Sequence, residues 1–233
     1  MKRPSRCVGD AIAPNYSGAV TPTAKPAAHI ASWTYAEHFM PESEAARAAR
    51  AASLEAGLVP ISRGAAQTLT VLARLGRVKA VVEVGTGTGV ASVALLAGMD
   101  PTGHLTSIDT EGDHLQTAGA MARLAGVKSQ RQRLIAGRPL EILARLADAA
   151  YDLVYIDADP LDSGEHVEQA LRVLRPTGLL VVYHALLSDT VARENNLDDE
   201  TLIVRETLEA VREMDLTSVL LPIGDGLLVS VKG

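Results

Sequence analysis

The 233-residue chain predicts an α/β fold: a mostly parallel sheet with helices on both faces and one antiparallel strand at its C-terminal end. Three observations lead there. Short β-branched apolar runs alternate with helical segments through the middle of the chain, and such alternation produces right-handed crossovers and parallel strands. Five of these runs read as apolar on both faces, as a sheet covered on both sides requires. The last two runs, LTSVLLP and LLVSVKG, are separated only by a turn around Ile223-Gly224-Asp225-Gly226. A loop that short joins antiparallel neighbours and cannot make a parallel crossover.

The elements follow in order. Residues 1 to about 30 hold Pro4, Pro14, Pro22 and Pro26 among scattered Ala, Ser, Thr and Gly, a composition expected of a flexible extension. The folded domain is then 31–233. The basic opening residues are not followed by an apolar segment, so they do not form a secretory signal. From Pro41, PESEAARAARAASLEAG is alanine-rich with charges at i, i+4 spacing and stops at Gly57, a helix. Ser62 is placed to cap a second helix, SRGAAQTLTVLARLG, which runs to Gly76. KAVVEVG is a strand and GVASVALLAGM a helix; LTSID is a strand and EGDHLQTAGAMARLAG a helix ended by Gly126. QRLIAG precedes the helix RPLEILARLADAA, with Pro139 in its first turn. YDLVYID and GEHVEQALRVLR, then GLLVVYH and DDETLIVRETLEAVREM, complete the alternation before the terminal hairpin.

Composition narrows the function. A formal net charge of −6 argues against nucleic acid or an anionic membrane surface as the main partner. No apolar stretch approaches the length that spans a bilayer, so a soluble cytoplasmic protein is expected. The lone cysteine, Cys7, allows neither an intramolecular disulfide nor a thiolate metal cluster.

The strongest motif is VVEVGTGTGVAS, residues 81–92. Gly85, Gly87 and Gly89 stand where a strand turns into a helix, which lets the backbone approach a ligand and offers free N–H groups. A dinucleotide loop needs G-x-G-x-x-G, but Val90 occupies the position of its third glycine. G-x-G-x-G behind an acidic residue, Glu83, suits a phosphate-free nucleoside with an amino-acid tail, namely S-adenosylmethionine (SAM). The alternative is a tight turn without a ligand. The next strand ends in Ile108-Asp109, about 20 residues on, where a carboxylate can accept both ribose hydroxyls; otherwise Asp109 simply begins a helix. At the third strand tip Pro139 lacks an N–H, leaving Arg138 or Leu140 to supply one to an adenine.

With these segments, and with YDLVYIDAD, GLLVVYH and the closing LPIGDGLLVSVK, the chain from about residue 40 to 233 resembles the small O-methyltransferases related to caffeoyl-CoA and catechol O-methyltransferases. The resemblance implies a Rossmann-like methyltransferase fold of seven strands with the last antiparallel, a small-molecule substrate and a homodimer. It implies that Val59 contacts the cofactor by its backbone, that Glu83, Gly85 and Thr86 surround the methionine portion, and that Asp109 holds the ribose. Asp157 would face the methyl-transfer cleft, where the family aspartate is one of three ligands to a divalent metal. Two departures bear on this. Pro160 replaces a lysine that is a candidate base in the family, and Tyr183-His184 replaces an aspartate–asparagine pair of metal ligands.

A hard cation wants several oxygens, and here only Asp157, with Asp159 as a second candidate, is placed to offer them. Asp152 lies at the opposite end of its strand. Asp162 and Glu165 suit the start of the next helix, where His166 is expected as a solvated first-turn residue. A metal-independent enzyme is therefore expected, in which Asp157 hydrogen-bonds Tyr183 or His184. His184 is the general base by residue type, because its unperturbed pKa lies near neutrality, with Asp157 orienting the ring. Only one of Tyr183 and His184 should line the pocket, since successive strand residues point to opposite faces. Trp33, Tyr35 and His38 are candidates for acceptor contact or for helix packing. Two further functions stay open: a SAM-binding protein that has lost or redirected catalysis, and a nicotinamide dehydrogenase, which Val90 and the terminal hairpin disfavour.

Overall fold

Side-chain caps fix where the first helices of the domain begin. Ser43 accepts from the Ala46 N–H at 3.2 Å and Ser62 from the Ala65 N–H at 3.1 Å. Each cap satisfies one of the N–H groups that a helix start leaves unpaired. Helices α2 (Glu44–Glu55) and α3 (Arg63–Leu75) follow directly. The computed structural model describes residues 26–233. Cys7 and residues 1–25 of the expected extension lie outside the described residues; residues 26–30 are described. They open a helix, α1 (Pro26–Glu37), with proline at the position a helix start tolerates. Among the described residues, 26–36 belong to one unit and 37–233 to another.

In the second unit the predicted alternation is present. The strands are β1 (Ala80–Val84), β2 (His104–Asp109), β3 (Gln132–Ala136), β4 (Tyr151–Ile156), β5 (Leu174–Tyr183), β6 (Leu216–Leu221) and β7 (Leu227–Lys232). Between and after them lie α4 (Val90–Gly98), α5 (Gly112–Leu124), α6 (Pro139–Leu143), α7 (Ser163–Val173) and α8 (Asp199–Glu213). The strands form one sheet in the order β3-β2-β1-β4-β5-β7-β6. β1 to β5 are parallel, while β7 runs antiparallel to both β5 and β6. The last strand in sequence is therefore inserted between two earlier ones.

Strand periodicity sends alternate residues to two separate cores. Val81, Leu105, Leu153, Tyr155 and Val181 pack under α2 to α5, and Val82, Val84, Ile108, Val154 and Leu180 under α6 to α8. Each fully buried apolar side chain of this size contributes roughly 1.5–3 kcal/mol.

Three local expectations are corrected. β3 is not apolar on both faces: it is the sheet edge, and its residues are exposed or half-buried. α6 ends at Leu143 instead of continuing through RLADAA. Arg172 of α7 donates to the Leu143 and Leu146 carbonyls, at 2.7 and 3.0 Å, taking acceptors that a longer helix would need. β5 starts upstream of GLLVVYH, at Leu174, with an irregular register opposite Tyr151 and Leu153.

Candidate active site

The tips of β1, β2 and β4 are pressed together, and this contact dictates the loop sequence. Gly85, at φ 78°, donates to the Ile108 carbonyl at 2.9 Å, and the Asp157 N–H donates to the Val84 carbonyl at 2.9 Å. A Cβ added to Gly85 would lie 1.6 Å from the Asp157 carbonyl oxygen, so only glycine fits. Gly87 differs. Its N–H donates to Asp109 Oδ2 at 2.8 Å, and an added methyl would meet only Leu58, at 3.6 Å. Its bare face opens into a cleft of about 490 Å³ bordered by Val59, Gly85, Gly87, Asp109, Arg138 and Asp157, a volume typical of ligand sites. Thr88 secures the loop from behind, donating to the Ala49 carbonyl of α2 at 2.8 Å.

Asp109 sits at the end of β2 and works on its own loop. Oδ2 holds the Gly87 N–H, and Oδ1 accepts from the Glu111 N–H at 2.9 Å. A carboxylate has about four acceptor positions, so both oxygens keep capacity for ribose hydroxyls.

Three residues expected at the ligand do not border the main cleft. Gly89 packs on α5, where an added Cβ would be 2.8 Å from Ala118. Thr86 is buried, hydrogen-bonds the Ile108 carbonyl and borders a smaller recess beside the cleft. Glu83 sits beneath the loop and not in the cleft wall. Its Oε2 accepts from Ser92 and Ser107 at 2.6 and 2.7 Å, and among the described residues nothing bonds Oε1. Burial raises its pKa to about 7, against the two serine hydrogen bonds and with a further push from the Asp157 and Asp109 charges. A carboxyl raised from 4.5 costs stability as it ionises, so folding weakens as pH rises from about 4.5 to 7. Glu83→Gln is expected to gain on the parent across that window, by on the order of 3 kcal/mol, and to stay level above it. Thermal denaturation against pH measures the gap; a gap independent of pH contradicts the assignment.

Beside the loop, Asp157 meets two partners. Tyr155 donates its hydroxyl to Oδ2 at 3.0 Å, and His184 Nε2 approaches Oδ1 at 3.3 Å. The other ring nitrogen, Nδ1, lies 2.6 Å from Asp225 Oδ2. His184 has φ 58°, so the chain turns sharply at the end of β5 and swings the ring toward Asp157 instead of continuing the strand alternation. Asp225 also accepts from the Ser188 N–H, fixing the following loop. Arg205 of α8 braces that loop through the carbonyls of Thr190, Val191, Arg193 and Asn196.

Burial alone would lower the pKa of His184. The hydrogen bond and charge of Asp157, then those of Asp225, overcome it and raise the ring to about 9. A ring raised this far holds its proton at neutral pH, a state suited to donating and not to accepting a proton. Tyr183 packs inward, and its hydroxyl accepts from the Ser62 and Asp225 N–H groups, both at 3.3 Å.

A family model described as O-methyltransferase matches residues 36–233. The chain belongs to the O-methyltransferase family. A protein of Mycolicibacterium vanbaalenii, provisionally named an O-methyltransferase, is 43% identical over 92% of this chain and 96% of its own. A Corynebacterium glutamicum crystal structure superposes with a TM-score of 0.83 at 31% identity, covering 88% of this chain and 97% of that one. The O-methyltransferase TomG from Streptomyces achromogenes, involved in tomaymycin synthesis and crystallised in complex with SAM, gives a TM-score of 0.76. It is 28% identical over 86% of this chain and 95% of its own.

The donor set of this O-methyltransferase does not suit a hard divalent cation. At the family's metal position it offers Asp157 and one imidazole, and both ring nitrogens of that imidazole face carboxylates. Tyr183 is turned away to backbone donors. Among the described residues no group of three His, Cys, Asp or Glu side chains is arranged to hold a metal, whereas such an ion wants several oxygens. Asp159 borders the cleft but spends Oδ1 on the Leu161 N–H. Asp152 is at the far end of β4, accepting from the Lys79 and Ala80 N–H groups. No helix among the described residues is long and apolar enough to cross a membrane.

Two residues of the site escaped the sequence reading. His166 is not a solvated first-turn residue: it is 2% exposed and borders the cleft. The signal was available, because Ser163, His166, Val167, Ala170 and Val173 are spaced as one buried helix stripe. Asp225 gave no such signal. It reaches His184 only because β7 pairs with β5, Tyr183 opposite Leu227.

Proposed function

We propose that this O-methyltransferase takes its methyl group from SAM held in the cleft and passes it to a hydroxyl of a small molecule, without a divalent metal. One observation carries the reading. The glycine loop, Asp109 and Asp157 border one cleft, and Asp157 links it to His184 and, through that ring, to Asp225 behind it.

When bound, SAM supplies an electrophilic methyl. Gly85, Gly87 and the Val59 backbone would flank its amino-acid half, Asp109 the ribose and Arg138 the nucleoside end. The chain's own work is then positioning and proton removal. Asp157 is the carboxylate nearest the transfer point and takes the acceptor's proton. His184, protonated and clamped by Asp225, faces Asp157 Oδ1 with Nε2 and so fixes that carboxylate, a preset positive charge behind the transfer point in place of a metal. By family resemblance the enzyme works as a cytoplasmic homodimer.

Calorimetry with S-adenosylhomocysteine, followed by a screen of hydroxylated acceptors with and without EDTA, tests this. Binding, with turnover unchanged by the chelator, is expected. Absence of binding overturns the cofactor assignment, and turnover that needs added magnesium or manganese overturns the metal-free mechanism.

A further inference from the structure

We propose that His166 reads the purine edge of the nucleoside, by accepting a hydrogen bond from the exocyclic amino group of adenine. The proposal rests on the cleft being the SAM site.

The cleft has a direction. The glycine loop and Asp157 border one part, Asp109 at the tip of β2 comes next, and the border continues to Arg138 and Pro139 of the α6 start and to His166 of α7. With the amino-acid half at the glycine loop and the ribose at Asp109, the base lies where α6 meets α7. There His166 is 2% exposed, and neither ring nitrogen has a full hydrogen-bond partner among the described residues. A buried polar group without a partner is costly, and native structures rarely keep one without a use.

The ring's environment also indicates what it offers. Burial lowers its pKa, and the charges of Asp162, Glu165 and Asp159 restore only part of the loss, so the imidazole is neutral, with one donor and one acceptor nitrogen. A neutral ring therefore keeps one nitrogen as an acceptor. It matches the amino group of adenine and is mismatched with the carbonyl oxygen that hypoxanthine carries at the same position.

Calorimetry with S-adenosylhomocysteine and with S-inosylhomocysteine, its hypoxanthine counterpart, tests this on the parent, His166→Leu and His166→Gln. The parent is expected to prefer the adenine ligand by about tenfold or more, the worth of one buried hydrogen bond. His166→Leu is expected to bind it about tenfold more weakly and to lose the preference, and His166→Gln, whose amide oxygen can accept, to keep part of it. A folded His166→Leu with the parent's preference overturns the proposal. If that variant does not fold, nitrogen NMR of the parent's His166 ring decides: a shift on adding S-adenosylhomocysteine supports the proposal, and no shift overturns it. A parent that binds neither ligand overturns the SAM reading itself, an outcome distinct from either.

Discussion

Asp109→Ala is expected to weaken S-adenosylhomocysteine binding by at least about a hundredfold. The carboxylate has two duties, and alanine fails at both. It holds the Gly87 and Glu111 N–H groups at 2.8 and 2.9 Å, and each donor left without a partner costs roughly 1–3 kcal/mol. It also provides the ribose acceptors, and hydrogen bonds to a charged group contribute roughly 1.5–3 kcal/mol each. Asp109→Asn separates the duties. Its amide oxygen can keep one backbone donor but not both, so an intermediate loss is expected. Calorimetry gives the affinities, and thermal denaturation confirms that the variants are folded. Binding by the alanine variant within threefold of the parent sinks the ribose assignment.

The second large effect falls on turnover. His184→Ala should lower it by roughly 10²–10³-fold, the usual worth of a positioned proton-transfer or charge-stabilising group. S-adenosylhomocysteine affinity should stay within about threefold, because His184 does not border the cleft that holds Asp109. Parallel losses in both quantities reject this division of labour.

The pH profile supplies a sharper test. The groups facing the ring are the Asp157 and Asp225 carboxylates and the Tyr183 ring, whose centroid is 4.5 Å away. The two carboxylates, Asp157 first, hold the imidazolium to about pH 9 against burial, so turnover should fall as pH rises through that value. Asp225→Asn removes one of the two negative charges, and the alkaline limb should move to lower pH. The same sign governs stability. A histidine raised from 6.5 to about 9 stabilises fully below about 6.5 and loses that contribution as pH climbs to 9. The parent's advantage in melting temperature over His184→Gln should shrink across that interval. Turnover that instead rises through pH 9 restores the neutral-base role of His184.

What the sequence disclosed followed from local physics. Alternating apolar runs announced the sheet, a short turn announced its antiparallel strand, and Ser62 announced a helix start, because each is decided within a few residues. Asp109 and Asp157 were legible for a related reason, since both stand at the ends of apolar runs and strand ends open on the cleft of such sheets. The surroundings of Glu83 were not legible, although its strand was. Whether a side chain faces the ligand or the underside of a loop depends on Ser92 and Ser107, which belong to other elements. The acid–base character of His184 was illegible for the same reason. Its type suggests neutrality, and only Asp225, 41 residues on, shows why it is charged.

The placement of β7 ties the site to the completion of the sheet. The strand follows β6 in the chain, yet it lies inside the sheet between β5 and β6, and the turn before it delivers Asp225 to His184 and a backbone N–H to Tyr183. Until that strand is seated, Asp225 cannot clamp His184 behind Asp157. A chain clipped before this strand would lose that clamp and, with it, the only pairing partner of β6 and one of the two neighbours of β5 among the described residues.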